Sequence, residues 1–524
     1  MKNLLLFSFL GIYTLSFGQN WSDDVAEIVY NKCSKCHHTG GVGPFPLVTY
    51  QETSSMAATL YDAVFEERMP PWPPNNDYQQ YVHDRSLSPS EKVIMLDWLL
   101  NGTPEGTPAN TPPPPVFQTG SILGAGDLEI QIPTYMSKAL SNGDDYVCFA
   151  MPSGLAADRV VKSVEIVPGN REIVHHALIY IDPSGTSVTD TIGGDCSTPS
   201  SSSAALVMGY TPGSSPLSLP SSAPLKLGMT IPANSQVVFS MHYPEGSYGE
   251  YDSTKVIFHF YPPGEPGIRQ VSADPILQNW SFSLPPDQHT AVTAQYPTAG
   301  GMPWNYSLLS VFPHQHLLGE SFRVYGIQPN LDTLKLMWLP HWDFEWQDFY
   351  FFKNIQKIES GGTLHAEGMY DNTASNLHNP NSPPITVYPG LNTSDEMFLT
   401  YFHYMPYQSG DENYNMDSLM NLSQLNIIEN NLEEGVFNVY PNPFNEGVNI
   451  YNNTVKPGDV VSIFVYDNTG KLVRSLLRSG TIEDNELLIH WDGKSNNGTD
   501  LNNGLYHLSI NVNGKMSHQR IIKN

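Results

Sequence analysis

Six side chains carry most of the chemical content of this sequence: the pair His175 and His176, then His242, then His314 and His316 separated by one residue, and Met397. Imidazole binds copper in both oxidation states and a thioether favours Cu(I), so the set fits a copper assembly that cycles between them. The run Cys33-Ser34-Lys35-Cys36-His37 has the spacing of a c-type haem attachment. Its two thiols would attach the vinyl groups and His37 would supply an axial nitrogen. Redox copper and a built-in haem together point to electron delivery for oxygen chemistry.

Local geometry limits how these ligands can be presented. His314 and His316 lie two apart, so a strand would turn both to one face. Adjacent His175 and His176 point to opposite faces of a regular strand, so one ion takes both only at a strand end or a bulge. A strand through Met397 would align it with Leu399, Tyr401, His403 and Met405, which leaves His403 and Met405 as rival ligands. The sixth iron ligand is expected from Met69 in Arg68-Met69-Pro70-Pro71-Trp72, where proline stiffens the loop. Met56, His83 and His38 are its rivals. His/Met ligation would raise the haem potential.

The elements that must position the haem ligands are helices. Ser22 is predicted to cap a helix running through Val25, Ile28 and Val29 to Cys33, and a second is expected over residues 54–67. The third carries Ser88 as N-cap, Pro89 at the first position, Glu91 completing a capping box and Gly102 after its end. Its expected apolar face is Val93, Leu96 and Leu100, with Trp98 nearby. This module, residues 19–106, resembles small cytochromes c. Residues 107–117 belong to a proline-rich stretch, Pro112 to Pro115 included, expected to act as a semi-rigid polyproline spacer.

A chain of 524 residues is expected to divide into several domains. A formal net charge of −27 argues against nucleic acid or an anionic membrane surface as partner. Residues 1–18 read as a secretory signal: Lys2, an apolar run, and Ser16-Phe17-Gly18 as the cleavage site. No later run is long and apolar enough for a transmembrane segment. Beyond Cys33 and Cys36, Cys148 and Cys196 remain, an even remainder that implies one disulfide in an exported chain, with two free thiols as the alternative.

From residue 118 to 425 the pattern is β: runs at 160–166, 173–181, 236–242 and 255–260 are separated by turn residues. That length allows two β-sandwiches, expected at 118–275 and 276–425. Asp144-Asp145-Tyr146-Val147-Cys148, His175-His176, Met241-His242-Tyr243-Pro244, Pro313-His314-Gln315-His316-Leu317-Leu318-Gly319 and Asp395-Glu396-Met397 follow in an order that resembles the copper type II, ascorbate-dependent monooxygenases. The resemblance implies two linked nine-stranded, jelly-roll-like sandwiches with one copper each. It implies that His175, His176 and His242 hold an electron-transfer copper, and His314, His316 and Met397 the copper that activates dioxygen. It places Cys148 and Cys196 where the family has a disulfide near the first copper; the family's other disulfides are missing. Peptide-amidating relatives carry an arginine where this chain has Phe312 and an asparagine where it has Leu399, while their tyrosine is kept as Tyr401. A charged carboxylate anchor is therefore lost, and an apolar or aromatic small-molecule substrate is expected. Tyr401 is either catalytic or a core aromatic, and the aromatic run 342–351 is expected to pack.

Residues 426–436 read as an acidic connector. Residues 437–524, with Tyr440-Pro441-Asn442-Pro443, alternating runs at 461–466 and 504–510, a turn at 467–470 and basic Lys515 and Arg520, look like a type IX secretion C-terminal sorting domain. The whole is expected to be a mainly β multidomain protein: a small all-α haem domain, two copper sandwiches and a small C-terminal β-sandwich. The expected function is an exported copper-dependent monooxygenase that uses dioxygen and two copper ions. Its covalent haem c would relay electrons from an external donor, ascorbate or a redox protein. The secretion machinery is a further partner. The alternatives are a copper and haem electron-transfer protein without oxygenase activity, and a surface-displayed structural protein.

Overall fold

The strongest start signal in the sequence forms as read. In the computed structural model Ser88 Oγ accepts from Glu91 N–H, the Glu91 carboxylate accepts from Ser88 N–H, and the helix Pro89–Leu100 follows. The model describes residues 18–524 except 116, 118–119, 141–142, 197, 345, 391, 393, 422–436, 453–454, 468–470, 484 and 514. The expected signal and acidic connector thus lie almost wholly outside the described residues. Among the described residues no helix is long and apolar enough to cross a membrane.

The helical module differs from expectation in detail. The first helix begins earlier, as a π-turn Trp21–Val25 leading into Ala26–Lys32, and Asn20 is its cap. Ser22 is instead buried and donates to Glu105 O at 2.8 Å. The second helix is broken at Met56 into Tyr50–Ser55, started by a Thr49–Glu52 capping box, and Ala57–Phe65. In the third, Met95, Trp98 and Leu99 face the core, whereas Val93 and Leu100 are exposed, because the helix packs on Trp21 and Val29 through the Trp98 face. The stretch after it is no free spacer: Pro104 O accepts from Trp98 Nε1–H, and Thr111 donates to Ser22.

Among the described residues between 128 and 406 every regular element is a strand. One layer orders Leu128–Gln131, Lys255–Phe260, Arg159–Val167, Leu225–Ile231 and Arg269–Gln270. The facing four-stranded sheet orders Asp145–Pro152, Gln236–Tyr243, His176–Asp182 and Ala205–Tyr210. Branched aliphatics and aromatics of both layers, such as Val147, Ile179, Phe239 and Phe258, are fully buried between them. The disulfide Cys148–Cys196 forms, with Cα atoms 5.7 Å apart. Closing 48 residues in this way contributes about 4 kcal/mol in the chain-entropy account.

The second sandwich has two four-stranded sheets. One orders Ser272–Gln278, Leu399–Pro406, Tyr306–His314 and Tyr350–Ile358; the other orders Gln288–Tyr296, Thr363–Asn372, Gly319–Ile327 and Thr333–Leu339. That makes eight strands among the described residues, where the resemblance implied nine. The two central strands of the first of these sheets are buried on both faces, and Leu309, Phe312 and Met405, with Phe351 of the neighbouring strand, continue the hydrophobic core of the first sandwich.

The helical module and both sandwiches form one compact unit, the described residues of 18–121 and 126–421. The described residues of 437–524 belong to a second unit with its own core around Val448, Val461, Trp491 and Ile510. It has a three-stranded and a four-stranded sheet, the latter containing Val460–Asp467 and Gly504–Val512.

Candidate metal and haem centres

His175 and His176 stand where backbone geometry requires for a shared ion. The strand His176–Asp182 begins at His176, and His175 lies just outside it, so the alternation of a regular strand does not separate them. His242 is the cross-strand partner of His176. The Nδ1 of His242 lies 3.2 Å from that of His175 and 3.1 Å from that of His176. One imidazole nitrogen cannot satisfy both neighbours with one proton, whereas an ion about 2 Å from each nitrogen satisfies all three. This donor set therefore fits a metal. On the far side of the ring, His242 Nε2 is 3.3 Å from Asp144 Oδ2, a carboxylate beside the ring but too poorly aligned for a hydrogen bond. The Tyr146 ring stacks on His242, with centroids 4.2 Å apart.

The second cluster uses the opposite edge of its rings. His314 Nδ1 is 2.5 Å from Gln347 Oε1, and His316 Nδ1 is 3.0 Å from Asp395 O. Both Nδ1 atoms thus donate, and both Nε2 atoms keep a lone pair. The strand ends at His314, so His316 sits in the turn that follows and not on the strand face expected from its spacing. Met397 likewise precedes the strand Leu399–Pro406. A buried carboxylate holds the turn and the methionine together: Glu396 accepts from His316 N–H at 2.8 Å, Leu318 N–H at 2.7 Å and Met397 N–H at 3.3 Å. Burial raises its acid, and the three N–H donors, which use both oxygens, pull it back toward the carboxylate. Tyr370 donates to Met397 O at 2.6 Å.

The rivals of Met397 are occupied elsewhere. His403 accepts from Ser310 Oγ–H at its Nδ1 and donates from Nε2 to Val207 O, a bond that joins the two sandwiches. Met405 is part of the core.

Burial, followed by the neighbouring imidazole, lowers His175 to about 4 and His314 to about 3. His316 falls to about 4 by burial alone, against the Asp395 carbonyl. Neutral rings are the state that offers lone pairs to a metal.

One cavity reaches both clusters. His176 borders it with Tyr146, Leu178, Tyr180 and Leu206 from the first sandwich. His314, His316, Met397, Phe312, Phe344, Leu399 and Tyr401 border it from the second. Tyr401 therefore faces the cavity, and burial raises its phenol to about 12. The aromatic run does more than pack: Phe344 lines the cavity, and Trp342 donates to His316 O at 3.1 Å. Sequence reasoning missed Gln347, Glu396 and Asp144 as supporting residues. Glu396 and Asp144 lay inside the quoted motifs, but nothing in their spacing announced which groups they would face.

In the helical module Cys33 and Cys36 are free thiols beside His37. His37 Nδ1 lies 3.0 Å from Phe45 O, which fixes that nitrogen as the donor and leaves Nε2 for an iron. A Cβ on Gly43 would stand 2.6 Å from the ring, so only glycine lets the loop close on it. These residues fit a haem. Met69 is 37% exposed at the end of Ala57–Phe65. Among its rivals, Met56 packs against the helical core, and His38 is bound to Ser34 O and stacked on Phe117. His83 keeps a solvent-shielded Nε2 with no hydrogen-bond partner, so both it and Met69 have a free ligand atom.

Comparison with known proteins gives these features a family context. Residues 279–424 match the model of the copper type II ascorbate-dependent monooxygenase, C-terminal domain, and residues 438–524 match that of the secretion system C-terminal sorting domain. DBH-like monooxygenase protein 1 of Mus musculus is 26% identical over 291 residues, covering 51% of this chain and 45% of that protein. Its Homo sapiens counterpart is 23% identical over 292 residues, covering 49% and 43%. The chain thus spans less than half the length of these curated relatives. A solved structure of PorZ, a surface component of the type-IX secretion system of Porphyromonas gingivalis, is 23% identical and covers 17% of this chain and 11% of that one. Its TM-score of 0.13 is too low to bear on the fold. The matches support copper monooxygenase character at the level of the family. The sorting domain indicates export, to the medium or the cell surface.

Proposed function

We propose that this protein is an exported copper-dependent monooxygenase that hydroxylates a C–H bond of a small apolar or aromatic substrate, with electrons relayed by a covalently attached haem. The observation that carries the reading is the single cavity bordered by His176 on one side and by His314, His316 and Met397 on the other. His175, His176 and His242 would hold one copper through Nδ1, and His314 and His316, through Nε2, would hold the other with Met397. Cys33, Cys36, His37 and Met69 would hold the haem. When bound, the two copper ions supply one electron each, so that substrate, dioxygen, two electrons and two protons give the alcohol and water.

The chain's own residues orient, exclude and select. Gln347 and Asp395 fix the tautomers of His314 and His316, and Glu396 ties the turn to Met397. Tyr401 stays protonated at neutral pH and offers a hydrogen bond inside the cavity. Among the described residues that line it, none is Asp, Glu, Lys or Arg. A charged substrate would lose its hydration there without a partner, which favours a neutral one. The physiological donor to the haem would be ascorbate or a redox protein.

The test is copper-loaded protein supplied with reductant, dioxygen and a panel of neutral aromatic and aliphatic compounds. The expected results are two coppers per chain and a product heavier by one oxygen atom, labelled when the gas is labelled. Copper binding and haem oxidation without labelled product would leave only an electron-transfer protein.

A further inference from the structure

The helical module does not hang from a tether; part of it is built into the second sandwich. Tyr81 forms a β-bridge with Phe352 at the edge of Tyr350–Ile358. Val82 N–H donates to Phe351 O at 2.7 Å, and Lys353 N–H donates to Gln80 O at 2.9 Å. Tyr81 Oη donates to Leu336 O at 2.7 Å, and Gln79 Nε2 donates to Lys335 O at 2.7 Å. Arg85 pairs with Asp348 at 3.2 Å, both side chains about one quarter exposed. Main-chain pairing of this kind fixes a register as well as a contact.

That docking has a consequence at the other sandwich. The turn after Ala205–Tyr210 passes so close to the haem-attachment loop that a methyl on Gly213, whose φ is +78°, would stand 2.6 Å from Cys36 Sγ. Cys36 Sγ here stands for the thioether sulfur of an attached haem. The same turn carries Thr211, which lines the cavity. Tyr210, one residue before it, pairs across the sheet with Ala177, the residue after His176. A short path therefore runs from Cys36 over the 211–214 turn and across one strand pair to a ligand of the first metal cluster.

We infer that the turn at residues 211–214 is the electron port between the Cys36 side of the haem and the first copper centre, and that residues 75–85 are the docking segment that holds this port closed. The inference rests on the proposed haem and copper occupancy, but not on hydroxylation. The step is a one-electron transfer: the haem iron goes from Fe(II) to Fe(III) and the copper from Cu(II) to Cu(I), with no bond broken and no proton moved. An external one-electron donor reduces the haem again, twice per hydroxylation. No mobile carrier is needed between haem and copper, because the contact is already made within one chain.

The test is anaerobic reoxidation of the ferrous haem by Cu(II), followed by the haem absorption band after rapid mixing or a light pulse, without substrate. In the unaltered protein the expected rate is first-order and independent of protein concentration. Gly213→Ala pushes a methyl into the sulfur, widens the gap the electron must cross, and is expected to slow that rate several-fold. Haem and copper contents are expected to stay at their normal values. The double variant Gln79→Ala, Tyr81→Phe, which strips two docking bonds without replacing any proposed metal or haem ligand, is expected to slow the rate in the same direction and gives the answer if Gly213→Ala does not fold. An unchanged rate in these variants, or a rate proportional to protein concentration, would overturn the port. Normal internal transfer with no hydroxylated product would instead remove the oxygenase reading and leave the port standing.

Discussion

Glu396→Gln is the sharpest probe of how the second metal cluster is held. The carboxylate is fully buried and accepts from three main-chain N–H groups, two on one oxygen and one on the other. Glutamine keeps one acceptor oxygen. Placed toward His316 and Met397, it turns its NH2 group to the Leu318 N–H, so two buried donors face each other. Each buried group left unpaired costs about 1–3 kcal/mol, so the change destabilises the turn by about 2–6 kcal/mol. If only about 1.4 kcal/mol of that falls on the metal-bound state, affinity at this cluster drops tenfold. Outer-shell changes at metal sites commonly cost 10–100-fold, the same order. The first cluster has its own support in Asp144 and Tyr146 and is expected to keep its affinity. The assay is copper stoichiometry by titration against a competing chelator, with thermal unfolding of the metal-free protein in parallel. The variant is expected to hold one copper at normal affinity, hold the second at least tenfold more weakly, and melt several degrees lower. Two coppers at unchanged affinity together with an unchanged melt would refute the assignment of Glu396 as the clamp.

Met397→Ile keeps the volume but removes the thioether, so hydroxylation is expected to disappear while the haem absorbance is unaltered; product mass spectrometry and the visible spectrum check both halves. Cys33→Ala is expected to abolish normal two-point covalent haem attachment, read by haem staining after denaturation, and turnover driven directly by ascorbate would show that the haem is a donor that can be bypassed. Asp182 gives a stability test. Burial alone would raise its acid, but the hydroxyls and N–H groups of Ser184 and Ser187 overcome this and hold it well below the ordinary range. Its contribution is therefore complete above the unfolded value near about 3.9 and is lost as pH falls through the folded one. Asp182→Asn is expected to destabilise by about 1–3 kcal/mol at pH 7 and progressively less toward pH 2; a difference that does not change with pH in denaturant titrations would contradict this.

The elements written in local signals were legible. The Ser88 capping box, the strands Arg159–Val167, Gln236–Tyr243 and Lys255–Phe260, and the position of His175 and His176 at a strand end follow from capping, alternation and Cβ direction, which depend on near neighbours alone. Other local readings failed because tertiary contacts overrode them. Ser22 gave up its expected role to bond Glu105, and Val93 and Leu100 face solvent because Trp98 was the side chain that fitted against Trp21. His316 left the strand because Glu396, 80 positions away, holds its amide in a turn.

By itself the sequence determined which side chains are available: five imidazoles, a thioether and two thiols beside a histidine, in an order that resembles that of a known family. Ligand type is a property of the residue, and order is a property of the chain. Only the tertiary structure decided which ring nitrogen faces inward, that His403 and Met405 are spent on packing, that both clusters open on one uncharged cavity, and that Cys36 lies against Gly213. Those outcomes are set by distances between atoms far apart in the chain, which depend on how the sheets stack and have no local signature.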